Sequence, residues 1–569
     1  MTTTTTTSTM RRRALDLLIT LDRTDNASEG LTRQIYGGLR EAILSGRLRA
    51  GDRLPPTRAL ARELGVARLT VATAYDWLGA EGYVSGRVGA GTFVAPAFAQ
   101  HETQVMDAPL ASASSHVRRP PAPTLALQSD ELAGRPLTAW ARRIQAIPVM
   151  GAGGEIISGD AQTTIIHEFN PGAGAAEAFP WTRWRRIAAQ RETTDPLAEW
   201  RARIHEREVI AGRWDMLLGP IETRSAIAAW LRRSRAVRCD PDQLLIASSV
   251  QQVLALLARL LVEPGQRLLV EDPSYIGFHA AFLAEGAELQ GVAVDAHGVR
   301  LDSLPSAEAR DDVNAARLLI VTPSHQYPTG VTLALERRMA LIEWSRRAGV
   351  TLVEDDYDGD LRLEGQPLEA LRGLDDRDEV IYLGTFAKAL YPAVRLAFAV
   401  LPHWLVEPVA RARAASDRHP TWRDALALAR FIEIGELERH LARVRRLYRA
   451  RRDTLIAALH EELDGLVTIG PAEAGVHLLA ELPAGVDDVA LARRARQAGL
   501  GIAPLSPHFQ DSARSRPGLL LGFGAQDEER LRTGAHLLAP LVQAAVVERY
   551  NQMRGEHAGD DTRAPSEPR

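Results

Sequence analysis

Of the 68 Lys and Arg residues in this chain of 569, only one is a lysine, Lys388. Arginine serves as well as lysine for solubility, ion pairs and phosphate contacts. With a pKa above ~12, however, it does not shed its proton to become an amine nucleophile. A chain that dispenses with lysine everywhere else makes its one amine a candidate for chemistry. Other reactive side chains stand in a regular relation to it, each directly behind a short apolar run. Leu244 to Ala247 is followed by Ser248-Ser249-Val250, and Arg267 to Glu271 by Asp272-Pro273-Ser274-Tyr275. Leu318 to Thr322 leads into Pro323-Ser324-His325-Gln326-Tyr327-Pro328-Thr329-Gly330, and Thr351 to Glu354 into Asp355-Asp356-Tyr357-Asp358. Val380 to Leu383 runs into Gly384-Thr385-Phe386-Ala387-Lys388, with Arg395 beyond, ahead of the run Leu396 to Leu401. Hydroxyls and free amides at a helix N-terminus can cradle a phosphate. An arginine can grip that phosphate bidentately, and an aromatic ring such as Tyr275 can stack on a planar ligand. Taken singly, Asp356 and Asp358 read as caps or ion pairs, and His325 equally as a satisfied, partly buried histidine.

The elements that must position these groups follow from the patterning. From about residue 166 to 546, helical segments alternate with short β-branched or Leu-rich runs, which predicts an α/β fold with a mostly parallel sheet. In such folds ligands sit at the carboxyl ends of the strands, where the residues above fall. Ahead of this module, Leu31, Ile35, Leu39 and Ile43 make one apolar helix face, stopped by Gly46. Thr57 is placed to cap a second helix carrying Leu60, Ala61 and Leu64. A third is expected from about Arg68 to Ala80, with Val71, Ala74, Tyr75 and Leu78 inward. Tyr83-Val84-Ser85 and Thr92-Phe93-Val94, around a Gly-rich turn, predict a two-stranded wing with Arg87 at its tip. Residues 14–95 therefore read as a winged helix-turn-helix, residues 1–13 as a disordered tail, 96–165 as a linker with a weak helix near Leu137 to Ile147, and 547–569 as a second disordered tail. A charged, helix-prone stretch between Arg191 and Arg213 reads as a surface insertion.

Composition excludes several alternatives. One cysteine, Cys239, rules out an intramolecular disulfide framework and a Cys-cluster metal site, and fits a reducing cytoplasm. No apolar run approaches the ~18 residues of a membrane helix, and the Thr-rich start followed by three arginines has no signal-peptide stretch. The net charge is −4, but residues 11–95 carry 13 Arg against 9 Asp+Glu, or +4, leaving −8 for the rest. A basic module on an acidic body points to an anionic partner.

The segment from Leu31 to Val94 resembles the winged helix of GntR-type regulators. That resemblance implies binding to double-stranded operator DNA, with the second helix of the motif in the major groove and Arg58, Arg68, Thr70, Thr73 and Arg87 as contacts. Where the family opens its recognition helix with Ser-Arg-Asn-Thr, this chain has Ala67-Arg68-Leu69-Thr70. The large module resembles the fold-type I pyridoxal 5′-phosphate enzymes of the aspartate-aminotransferase class, with a smaller C-terminal subdomain. With a winged helix in front, the whole resembles the MocR/GabR family of regulators. The resemblance implies that Lys388 forms an internal aldimine, because an amine is needed there. Asp355 would pair with the pyridinium nitrogen, Tyr357 would reach the phenolic oxygen and Tyr275 would stack on the ring. Arg395, Thr385 and the turn Ser248, Ser249, Val250 would hold the phosphate, with Gln326 and Tyr327 completing the site.

Three departures bear on whether the module is an enzyme. Tyr327 stands where aminotransferases carry an Asn before Pro-Thr-Gly. Ser249 stands where a Gly is expected in the phosphate turn, which would strain that turn or shift the phosphate. The C-terminal strand reads Leu519-Leu520-Leu521-Gly522-Phe523, with no Arg to grip a substrate α-carboxylate, although Arg514 and Arg516 lie nearby. The expectation is a cytoplasmic transcriptional regulator, not a working enzyme. Its aminotransferase-like domain would bind the cofactor and sense an amino compound or the cofactor itself. The family resemblance further implies a homodimer, with each winged helix crossing head-to-tail to the partner's large module. The alternative is an active aminotransferase with a fused DNA-binding domain.

Overall fold

The computed structural model describes residues 31–80, 83–87, 91–95, 137–147, 165–190, 214–307, 316–365, 368–391 and 394–560. The chain divides into two compact units at Pro120. In the first, helices α1 (Leu31–Leu44), α2 (Thr57–Glu63) and α3 (Arg68–Ala80) precede the antiparallel strands β1 (Val84–Arg87) and β2 (Gly91–Val94). The apolar spacing read from the sequence is what packs them. Ile35 and Leu39 of α1, Leu60 of α2, and Val71, Ala74 and Leu78 of α3 are buried together with Val84 and Val94 of the wing. Pro56, not Thr57, occupies the cap position of α2, and no side chain caps that helix. Thr57 is instead its first residue, and its hydroxyl accepts a long hydrogen bond from Arg68 Nε (3.5 Å).

The second unit begins, among the described residues, with α4 (Ala139–Gln145), at the place in the linker where a helix near Leu137 to Ile147 is expected. An eight-stranded mixed sheet follows. Its strands are β3 (Leu244–Ala247), β4 (Arg267–Asp272), β5 (Glu288–Asp295), β6 (Gly298–Val299), β7 (Ala316–Val321), β8 (Thr351–Asp356), β9 (Ile381–Thr385) and β10 (Ala397–Val400). Their order across the sheet is β3-β10-β9-β8-β7-β4-β5-β6. The centre is parallel as predicted, and β10 runs antiparallel to both neighbours. The apolar runs form strands because both faces of the sheet are covered, so nearly every residue of β3, β7, β9 and β10 is buried.

Helix α5 (Val250–Leu261) follows β3 and α6 (Ile276–Glu285) follows β4. At the far end of α6, α4 is held by Trp140 Nε1 donating to Glu285 (3.1 Å) and Arg143 Nε donating to the Ala284 carbonyl (2.9 Å). The smaller subdomain carries the long helix α7 (Glu436–Leu463) and a four-stranded antiparallel sheet of β11 (Thr468–Ile469), β12 (His477–Glu481), β13 (Ala503–Pro504) and β14 (Gly518–Gly522). The final helix, α8 (Glu528–Asp560), continues past the boundary expected at 546. Its last turns are polar, yet they are rich in Glu, Arg, Gln and Met, which are good helix formers, and Glu548 pairs with Arg494 (2.8 Å). The N-terminal tail, most of the expected linker and the Arg191 to Arg213 stretch lie outside the described residues.

Candidate cofactor and DNA-binding sites

At the end of β8, strand alternation sorts three consecutive acids. Glu354 accepts from the backbone N–H groups of Leu371 and Arg372 (both 2.9 Å). Asp356, on the same face, pairs with buried Arg235 (2.7 Å) and accepts from the Tyr382 hydroxyl (2.5 Å). Asp355 points the other way. Its Oδ1 is buried with no hydrogen-bond partner among the described residues. Burial raises its pKa from 3.8 to about 8, opposed chiefly by the charge of Lys388.

Lys388 Nζ lies 3.9 Å from the centroid of the Tyr357 ring, within cation–π range. Burial lowers its pKa, against the pull of Asp358 and Asp355, and so favours the neutral amine that a nucleophile needs. The Tyr357 hydroxyl lies 2.9 Å from His325 Nδ1, and Asp358 Oδ2 lies 2.8 Å from the same nitrogen. Carrying a proton, that nitrogen donates to Asp358; bare, it accepts from Tyr357. The Asp358 pair expected from sequence thus forms inside the site. His325 is fully buried, and its Nε2 has no partner among the described residues.

The expected phosphate-holding residues meet at one edge of the sheet. In register, Ala397 of β10 is flanked by Thr385 of β9 and Ala247 of β3. Since β10 is antiparallel to both, Arg395 just before it comes to the same end as Thr385 and Ser248. Arg395 is exposed, with φ of 51°. That left-handed conformation is costly for a residue with a Cβ and is found where a site requires it. Its guanidinium has no ion-pair partner among the described residues. Ser249 has φ of −165°, ordinary extended backbone, so the strain expected from the missing glycine does not arise. Its hydroxyl caps α5 by accepting from Gln252 N–H (3.1 Å), while Gln252 Oε1 accepts from Ser248 N–H (2.7 Å). Val250, half-buried, opens the helix.

Tyr275 precedes α6, and its ring folds back over Gly277, where a Cβ would sit 2.1 Å from it. It meets the Tyr327 ring edge-on at 5.5 Å. Gln326 departs from expectation. Its amide nitrogen lies within hydrogen-bond distance of Glu271, the Pro273 carbonyl and the Tyr327 carbonyl, and its oxygen accepts from Thr329. That side chain is spent bracing the loop and has no group left for a ligand. Arg514 and Arg516 are also engaged, Arg514 with Asp272 and Asp511 and Arg516 with Glu481. Sequence reasoning missed Gly174 and Tyr448. The Tyr448 hydroxyl accepts from Ala175 N–H (2.8 Å) and donates to the Lys388 carbonyl (3.4 Å). A Cβ on Gly174 would come within 3.0 Å of that carbonyl. Tyr448 lies on a charged helix with no motif around it, so only the tertiary contact reveals it.

In the first unit Arg58 and Arg68 are exposed, and Thr70 and Thr73 are half-buried on α3. The Thr73 hydroxyl donates to the Leu69 carbonyl (2.9 Å). Arg87 closes β1 opposite Gly91. Leu69 is 76% exposed, an apolar side chain displayed at the start of the recognition helix.

A buried carboxyl with one oxygen unpartnered, an enclosed amine and an arginine without an ion pair at the strand ends, all among the described residues, fit pyridoxal 5′-phosphate. Fold and site together define a fold-type I pyridoxal-phosphate domain joined to a winged helix. Comparison with known families agrees. Residues 193–514 match "Aminotransferase class I and II" and residues 31–94 match "Bacterial regulatory proteins, gntR family". The chain is 35% identical to the "Probable rhizopine catabolism regulatory protein MocR" of Rhizobium meliloti, over 92% of this chain and 95% of that one. It is 30% identical to the "HTH-type pyridoxine biosynthesis transcriptional regulator PdxR" of Corynebacterium glutamicum, over 91% and 96%. Among solved structures, the α-aminoadipate aminotransferase LysN of Thermus thermophilus superposes with a TM-score of 0.58 at 26% identity, over 73% of this chain and 97% of LysN. The chain belongs to the MocR/GabR family of transcriptional regulators, with a DNA-binding GntR domain and an aminotransferase-like domain whose cofactor is pyridoxal phosphate.

Proposed function

We propose that the large domain of this regulator holds pyridoxal phosphate on Lys388 and reports the arrival of an amino compound, or of the cofactor itself, to the winged helix. The observation that carries this reading is Asp355. It is a buried carboxyl with an unpartnered oxygen beside the chain's one lysine, between two acids already engaged elsewhere. Bound there, the cofactor supplies an aldehyde for an amine and an electron-withdrawing ring. Asp355 would carry the negative charge opposite the ring nitrogen, Tyr357 would hold the phenolic oxygen, and Tyr275 and Tyr327 would enclose the ring. Arg395, Thr385 and the Ser248-Ser249-Val250 turn would take the phosphate. Arg58, Arg68, Thr70, Thr73 and Arg87 would hold operator DNA. The protein would act in the cytoplasm as a homodimer reading two half-sites, its effector shifting the population between two arrangements of the dimer.

The expected outcome of Lys388→Ala is loss of the protein-bound cofactor's visible absorbance and of any effect of cofactor or amines on DNA affinity. An unchanged spectrum in that variant would sink the assignment. Turnover of amino and keto acids by the wild type would instead support an enzyme with a fused DNA-binding domain.

A further inference from the structure

The wall facing Tyr327 and Tyr357 comes from the small subdomain, and strand alternation singles out one residue in it. Leu519 and Leu521 of β14 pack into the main core, whereas Leu520 between them packs with Tyr327 and Tyr357. Its register partners Leu479 on β12 and Ala503 on β13 present the same face. Leu505 completes the surface, and half-buried Phe509 packs against it.

The two arginines nearest this wall in sequence, Arg514 and Arg516, are engaged with acids elsewhere. The polar groups nearby are imidazoles. His477 and His508 lie 5.3 and 5.5 Å from the Tyr327 ring. Burial holds both well below the usual histidine range, His508 at about 4, so both are neutral at neutral pH. In the reading above the site's cations, Lys388 and Arg395, are taken up by the cofactor, and its other charged groups are the carboxyls Asp355 and Asp358. A ligand carboxylate brought against this wall would lose its water and meet, among these described residues, only apolar side chains and neutral imidazoles, an uncompensated desolvation.

We infer that the site selects a primary amine that carries no carboxylate and has an apolar body, received against Leu520, Leu505 and Phe509. The inference rests on the sensor reading above and names its ligand class.

The test uses the full-length protein loaded with pyridoxal phosphate, titrated with matched pairs that differ only in the carboxylate: phenethylamine against phenylalanine, and isoamylamine against leucine. Cofactor absorbance and the melting midpoint are read together, and the same pairs titrated against free pyridoxal phosphate give the intrinsic preference. The expected result is that the protein favours the amine over the amino acid by about tenfold more than the free cofactor does, or ~1.4 kcal/mol. Leu520→Arg is expected to reverse that preference; should it fail to fold, the wild-type ratios decide alone. A wild-type preference equal to the free cofactor's, one favouring the amino acid, or no response to any amine by a cofactor-loaded protein would overturn the inference. A protein that never takes up the cofactor on Lys388 would overturn the sensor reading first.

Discussion

Asp355 is the residue on which the site turns electrostatically. Between 3.8 and about 8 the folded, cofactor-free chain keeps a proton on this carboxyl that the unfolded chain has released. Folding therefore takes up a proton in that window, and its contribution to stability falls as pH rises, by at most about 1.4 kcal/mol per pH unit. Asp355→Asn removes this dependence. Unfolding midpoints of the cofactor-free variant, measured from roughly pH 5 to 8, should fall less steeply than those of the wild type. Glu271, Glu354 and Asp360, all raised by burial to about 7, are present in both proteins. Parallel profiles would show that Asp355 does not hold the extra proton. The position of Asp355 was legible in the sequence, because an acid directly after a buried run falls at a strand end. The choice of Asp355 among three adjacent acids came from the family resemblance and not from spacing, since which acid faces the lysine depends on how β8 is rotated against its neighbours.

Among the elements, β8 is held in place from outside the sheet. Arg235 donates to Asp356, to the Ser324 hydroxyl (2.5 Å) and to the Leu368 carbonyl (2.5 Å), tying the strand to the loop that carries His325 and Tyr327. Removing one partner of such a buried pair leaves an uncompensated charge and typically costs about 3–5 kcal/mol. Arg235→Ala should lower the melting midpoint accordingly, and adding Asp356→Asn should recover part of the loss. If the double variant were no more stable than the single one, the penalty would not lie in the stranded carboxylate. The six runs flagged by the sequence all belong to the large sheet, because burial on both faces makes a strand continuously apolar. The hairpin of β5 and β6 escaped notice because most of β5 is only half-buried and its sequence is mixed. Gln326 was expected in the site from the family resemblance, but its side chain braces its own loop against Glu271 and the Pro273 carbonyl.

At the scale of the whole molecule, the uneven charge makes a prediction about DNA. Each arginine that neutralises a phosphate releases counterions, so affinity falls with salt by a slope of about 0.9 per contact. Arg58→Ala and Arg68→Ala should each weaken binding on all sequences alike and flatten the plot of log affinity against log salt by about one unit. An unchanged slope would place that side chain away from the backbone. The two-module organisation was legible because each module has its own periodicity. The course of the chain between them was not, since no apolar face runs through it.

The enclosed amine of Lys388 also sets a limit on what can cut the chain. A lysine-directed endoprotease has a single bond to hydrolyse, that between Lys388 and Ala389, and it lies inside the folded large domain. Digestion of unfolded protein must therefore give two fragments, residues 1–388 and 389–569. Any reagent that fixes the cofactor to that nitrogen beforehand leaves the polypeptide whole, so one gel lane reports how much of the population carries it.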